Sequence, residues 1–392
     1  MTTLVASPLA ALPPAGTWPW AVVAAVAGAI GGRMLTFAVG GLLDAGVFGE
    51  PVRVSGAARR RIELVAVAAA VGLWWWEAYR LGLEPAVDGV AVAGGLDGML
   101  PPRWLAHAVL FWLLAAAAWI DLRYRVIPDC VTVPGVLVGL ALAWLLPDLF
   151  LPIACEEPRS FAPALAVPDV LAWWGGLRTE MPPRWMGSWP YAGGLVFATV
   201  IYSAWWFFLT VPFLQPVQAP GPAVARWRRI EPRTLILPAG IVGIVAAWAG
   251  GGDRFGGLHS ALIGLAVSAG LVWAVREGAS RALGREAMGL GDVTLMAMVG
   301  AWIGWQASVL AFFLAAFIGL AHGLVQVLRH RETELPYGPS LCLASAAVIV
   351  GWRPLWQWTG TAFAQPLELA AVIGAVVALT AATLFAWSRL RG

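Results

Sequence analysis

Residues 289–328 read GLGDVTLMAMVGAWIGWQASVLAFFLAAFIGLAHGLVQVL, a run whose one charged side chain is Asp292. A single crossing of ~30 Å of hydrocarbon takes about 20 residues, so this run is too long for one span. It reads as two helices, 292–306 and 308–328. Working outward, comparable apolar stretches lie at 18–42, 63–83, 104–120, 131–149, 192–213, 234–250, 260–276, 338–352 and 367–388. The sequence therefore predicts an all-α polytopic transmembrane helical bundle of about eleven spans.

Composition agrees. Of 392 residues, 60% are hydrophobic and 12% charged, with a mean hydropathy of +0.77; soluble chains average nearer ~45–50% and ~25%. A soluble enzyme, a disordered chain and a nucleic-acid partner are excluded. Every basic residue is Arg. Placing the amino terminus outside puts most of them on the cytoplasmic side, among them Arg59, Arg60, Arg61, Arg123, Arg125, Arg228, Arg276 and Arg281. That leaves Arg80, Arg103, Arg159, Arg178, Arg184, Arg254 and Arg353 outside. This asymmetry is what the positive-inside rule expects, and it places the carboxyl terminus in the cytoplasm. Residues Met1 to Gly16 lack a basic leader region, so the first apolar segment is expected to stay as an anchor. The Trp74-Trp75-Trp76 run, Trp302 and Trp305 fall near span ends and read as interface anchors. Cys130, Cys155 and Cys342 lie too far apart for a C-x-x-C pair, so neither a zinc site nor a disulfide framework is expected. His107, His259, His322 and His330 show no ligand spacing.

The stretch 151–191 is rich in Pro, Trp and charge and reads as an external loop. There is also an internal echo: Pro128, Pro134 and Gly139 share their spacing with Pro232, Pro238 and Gly243. This is consistent with a duplicated helical hairpin.

Ionisable groups at or within the membrane are costly and so mark candidate sites. Here they are Glu63, Glu77, Asp121, Asp292 and Glu368. Glu77 is expected to pair with nearby Arg80 at the interface, and Glu368 to begin the last helix. Asp121 ends an apolar helix in the segment Trp119-Ile120-Asp121-Leu122-Arg123, and Asp292 begins one. About four spans separate them, and an even number returns the chain to the same face. Both carboxyls are therefore expected at the cytoplasmic boundary. Two carboxyls sharing a site cannot both ionise cheaply; one can hold a proton while the other activates water. Gly289 and Gly291 remove side chains beside the second Asp, which lets another helix or an extended peptide come close.

These residues resemble the type IV prepilin peptidases, membrane aspartyl proteases of the G-x-G-D class. Asp121 to Pro134 is similar to the family's first aspartate motif, and residues 289–295 with Gly300 to Trp305 to its second. Leu335-Pro336-Tyr337-Gly338-Pro339 resembles a short Pro-aromatic-Gly-Pro element. The resemblance implies that Asp121 and Asp292 are the catalytic pair, with Gly289, Gly291, Pro336, Gly338 and Pro339 supporting. Asp129 matches a helix-entry position and is expected to cap a helix. The implied activity is endoproteolysis of the basic leader of type IV prepilin or pseudopilin precursors at the cytoplasmic face of the bacterial inner membrane. Prepilin, the pseudopilins of type II secretion and lipid are the implied partners. Members that also methylate the new amino terminus carry two C-x-x-C pairs in the first cytoplasmic loop. The loop 44–62 has no Cys here, so no zinc domain and no N-methyltransferase activity are expected, and S-adenosylmethionine enters only through the resemblance. Thr294 stands where the family commonly has Lys.

The domain reading is an amino-terminal membrane segment, 1–103, with a short zinc-less cytoplasmic loop, followed by an aspartyl peptidase membrane domain, 104–392. The latter holds the inserted loop 151–191 and an extra helical hairpin at about 192–250. Two other classes stay open on the residues: a proton- or cation-coupled transporter using the same carboxyls, and a non-catalytic scaffold of a pilus or secretion assembly.

Overall fold

The computed structural model describes residues 16–44, 54–83, 100–147, 150–151, 187, 189–210, 232–284, 286–330, 336–363 and 366–391. The expected external loop 151–191 lies almost wholly outside them. In order the helices are α1 (Trp18–Asp44), α2 (Gly56–Trp74, continued by a π turn Trp75–Tyr79), α3 (Leu100–Tyr124), α4 (Asp129–Leu145), α5 (Ala192–Thr210) and α6 (Pro232–Gly250). They continue with α7 (Gly252–Leu283), α8 (Leu290–His330), α9 (Gly338–Val350), α10 (Trp352–Phe363) and α11 (Pro366–Arg391). Among the described residues there is no strand, as lipid requires of a chain that must satisfy its backbone within each segment.

Local signals set the ends. Ser55 caps α2, its Oγ accepting from the Ala58 N–H at 3.2 Å. Gly284 ends α7 in the left-handed region at φ 66. Pro128 holds the N-cap of α4, so Asp129 sits in the first turn rather than capping it; no side-chain cap bond forms there.

Six helices are long and apolar enough to cross a membrane: α1, α2 with its π turn, α3, α5, α7 and α8. Four more apolar helices are shorter: Asp129–Leu145, Leu235–Gly250, Gly338–Val350 and Glu368–Leu379. The chain is thus a multi-pass helical membrane protein; among the described residues six helices have the length and composition of a crossing, beside four shorter apolar ones.

The run that opened the sequence reading carries the decisive bend. Within α8, Gly304 has φ 80 and ψ 171, a conformation open to glycine and to essentially no other residue. A straight helix would hold Asp292 and Gly319 roughly 40 Å apart. Instead Tyr337 lays its ring against Gly319 and feels the charge of Asp292. Ser268 of α7 likewise reaches both limbs, lying against Gly300 and hydrogen-bonding Ser308. Helix α8 is therefore two antiparallel limbs folded back at Gly304, close to the expected division at 306–308.

The first limb runs beside α4 in parallel: Ile127 meets Gly291, Met298 packs on Gly135, and Trp302 packs on Gly139. The Trp302 Nε1–H donates to the Gly135 carbonyl at 2.8 Å. Trp302 and Trp305 are consequently core residues, not the interface anchors expected of them. A Trp at a span end looks the same in sequence whether lipid headgroups or a crossing helix receive it. The proline echo does not give equivalent packing. Gly139 is filled by Trp302, whereas nothing packs on Gly243.

Candidate functional site

Asp121 lies three residues before the end of α3. The chain then reverses through Arg125, at φ 54, whose N–H donates to the Asp121 carbonyl at 2.8 Å. Ile127 follows, buried, and Pro128 starts α4. Asp292 is the third residue of α8, its N–H donating to the Gly289 carbonyl at 3.3 Å. Gly291 rests on Ile127: a Cβ there would fall 2.9 Å from the Ile127 Cβ. That contact draws the Asp292 turn against the segment following Asp121.

Helix α9 closes the site. The Gly338 N–H donates to the Asp121 carboxylate, and a Cβ at 338 would lie 2.5 Å from Asp121 Oδ2 and 2.8 Å from Ile127 Cδ1. Only a residue without a side chain lets the backbone donor come this near. Gly289 supplies the matching backbone donor to Asp292. Pro339 stands in the first turn of α9, where a missing N–H costs nothing. Pro336 precedes the helix and touches neither acid in any described hydrogen bond.

Both carboxyls are buried, Asp121 at 5% and Asp292 at 7% exposure, and the charge acting on Asp292 is that of Asp121. Among the described residues neither forms an ion pair, and Asp292 Oδ1 is buried without a hydrogen-bond partner. Two acids thus face each other at one end of the bundle, each holding one backbone N–H. One oxygen is left to share a proton or hold a water. The pair sits at helix ends, Asp121 in the last turn of α3 and Asp292 in the first turn of α8.

Sequence reasoning missed three neighbours. Tyr337, the N-cap residue of α9, lies in the field of Asp292, its hydroxyl 3.5 Å from the Phe312 carbonyl. Burial first, and then the Asp292 charge, push its phenol above the ordinary range, so it remains a hydrogen donor at working pH. Cys342, buried one turn into α9, lies within electrostatic reach of both acids. Arg276 of α7 donates from Nε to the Met288 carbonyl at 2.9 Å and from Nη2 to Glu286 Oε1 at 2.8 Å. It thereby stitches the loop that delivers Gly289 and Asp292. The Pro-aromatic-Gly-Pro element pointed to Tyr337, but nothing local marked Cys342 or Arg276. Thr294 turns its hydroxyl back on the Gly291 carbonyl at 3.0 Å.

Glu77 does not pair with Arg80. It is fully buried, accepts from or donates to His107 Nδ1 at 2.7 Å, and lies 3.9 Å from Arg103 Nε. Arg80 instead stacks over Trp75 at 5.8 Å.

Fold and site together define a helical membrane protein with two confronted carboxyls at one end. Residues 108–157 and 225–324 match the family model described as the type IV leader peptidase family. A prepilin leader peptidase/N-methyltransferase of Pseudomonas aeruginosa is 36% identical over 130 residues, 32% of this chain and 42% of that one. The Stutzerimonas stutzeri protein of the same description is 33% identical over 145 residues, 36% and 47% respectively. That of Escherichia coli K12 is 34% identical over 90 residues, 22% and 40%. The chain thus spans less than half the length of each of these relatives. No solved structure matches. The unmatched stretch 158–224 falls inside the expected insertion and holds α5.

Proposed function

We propose that the chain is a membrane aspartic endopeptidase that removes the leader of prepilin or pseudopilin precursors at the cytoplasmic face of the inner membrane. The observation that supports it most is the meeting of Asp121 and Asp292 in one buried site with no countercharge among the described residues. The ionised member of the pair takes a proton from water, whose oxygen attacks the scissile carbonyl. The protonated member stabilises the tetrahedral intermediate and passes its proton to the departing amine. Gly338 and Gly289 hold the carboxylates in place through their N–H groups, and Tyr337 supplies a further donor. The substrate's own apolar amino-terminal helix enters laterally, and the peptide bond is presented where the acids meet the membrane edge.

The domain division at 103/104 carries over into this proposal: the peptidase part begins with α3, and 1–103 forms the docked amino-terminal segment. No zinc or S-adenosylmethionine enters the hydrolysis. In membranes free of other prepilin peptidases, Asp121→Asn and Asp292→Asn should each stop leader removal from an added prepilin, read by sequencing the product's amino terminus. Full processing by either variant overturns the assignment. A methyl group found on the product when S-adenosylmethionine is added would show the second activity as well.

A further inference from the structure

The end of the bundle remote from Asp121 and Asp292 carries a groove between the π turn of α2 and the corner joining α9 to α10. Trp76, Arg80, Gly82, Gly351 and Arg353 line it. Its walls are built, not incidental. Trp75–Tyr79 is a π turn, a rare element that recurs at functional sites. The Arg80 N–H donates to the Trp75 carbonyl at 2.9 Å and the Gly82 N–H to that of Trp76 at 2.8 Å. Leu81 is thereby held at φ 50, a conformation that is costly for a non-glycine residue and persists only where its surroundings impose it. The Trp76 ring packs over Gly82, and its Nε1–H donates across to the Val350 carbonyl at 2.9 Å. The two sides of the groove are thus tied together.

Two guanidiniums share this groove, and among the described residues neither forms an ion pair. Arg80 lies over the face of Trp75 from an exposed position. Arg353, half-buried, comes from the first turn of α10. The nearest acid in sequence, Glu77, is turned inward and held by His107. Two uncompensated positive charges in one recess call for an anion with several acceptor oxygens, and a phosphate meets guanidinium geometry with paired hydrogen bonds. The π turn beside it is aromatic and open: Trp75 is 47% and Tyr79 58% exposed. Exposed Trp and Tyr at a span end belong at headgroup depth. Both arginines also sit on the side where basic residues are sparse, so general charge bias does not account for them.

We propose that this groove binds the phosphate of an anionic phospholipid headgroup, with Arg80 and Arg353 as its two ligands. The bound lipid bridges the amino-terminal hairpin to the corner after α9. The site is independent of the peptidase reading and survives its failure.

The test uses the full chain in detergent, with native mass spectrometry and thermal unfolding at matched concentrations of phosphatidylglycerol, phosphatidylcholine and inorganic phosphate. Phosphatidylglycerol should bind about tenfold tighter than phosphatidylcholine, whose choline cation offsets the phosphate charge beside the two guanidiniums. Arg80→Gln with Arg353→Gln should erase the preference. Arg254→Gln, an outward arginine away from the groove, should keep it. Should the glutamine pair not fold, Arg80→Lys with Arg353→Lys retains charge without the paired geometry and should lower the preference in folded protein. Equal binding of the two lipids, or a preference that persists in the double variants, overturns the proposal. Displacement of the lipid by inorganic phosphate at equal concentration overturns it in favour of a free-phosphate site.

Discussion

Helix α3 carries two buried ionisable centres, one at each end, and they are constructed oppositely. At its amino end Arg103 and His107 meet Glu77 of α2, so unlike charges are packed together at 0–1% exposure. At its carboxyl end Asp121 meets Asp292, so like charges are packed together with backbone N–H groups as their only described donors. The first arrangement offsets desolvation by attraction and docks one helix on another. The second adds repulsion to desolvation, and a membrane protein keeps such a pair only where its chemistry requires it. The contrast fits a docking role for the first centre and supports the reactivity proposed for the second.

Breaking the acid end should produce the largest effect. Asp121→Asn combined with Asp292→Asn should cut leader removal by about 10²–10⁴-fold and be no worse than either single change, because the two act as a unit. Thermal unfolding should stay where it is or rise, since a repulsion has been removed. At the opposite end the signature inverts. Glu77→Ala strands Arg103 and His107 in the interior and should cost about 3–5 kcal/mol of stability, with kcat per folded molecule unchanged. A Glu77→Ala protein that melts normally but fails to cleave would erase the distinction.

Smaller changes sharpen it. Gly338→Ala inserts a methyl group against Asp121 Oδ2; displacement of a reacting group by about 1 Å should lower kcat about 10²-fold, with little change in KM. Arg276→Gln releases the Met288 carbonyl and Glu286 and should lower kcat about tenfold, the scale of one charge-assisted hydrogen bond. Arg276→Lys should recover part of that loss. Steady-state kinetics on a leader peptide separates kcat from KM in both cases.

Much of this was legible in the sequence because it depends on local period and parity. The apolar runs located every helix except α10, although α7 extends seven or eight residues beyond its run at either end, and an even number of them between Asp121 and Asp292 put the two acids at one end. The division of 289–328 was also readable, although the residue that makes it, Gly304, announces itself only through its φ. What escaped notice depends on tertiary approach. Glu77 sits three residues from Arg80, yet the π turn swings it inward to His107, thirty positions away. Cys342 and Arg276 reach the acid end from α9 and α7 with no motif to mark them. The short helices α4 and α9 fit a core and a membrane equally well by length.

The fold-back at Gly304 has a further consequence. From Leu290 to Ile303 the first limb rises only about 21 Å, less than the ~30 Å thickness of bilayer hydrocarbon, so Asp292 stands on a short strut that does not cross the hydrocarbon by itself. Its height and heading are therefore set by residue arithmetic. One residue inserted between Gly291 and Gly304 would lift the acid by ~1.5 Å and swing it by ~100°, away from Asp121. Insertions in the stretch 158–224 leave that strut untouched.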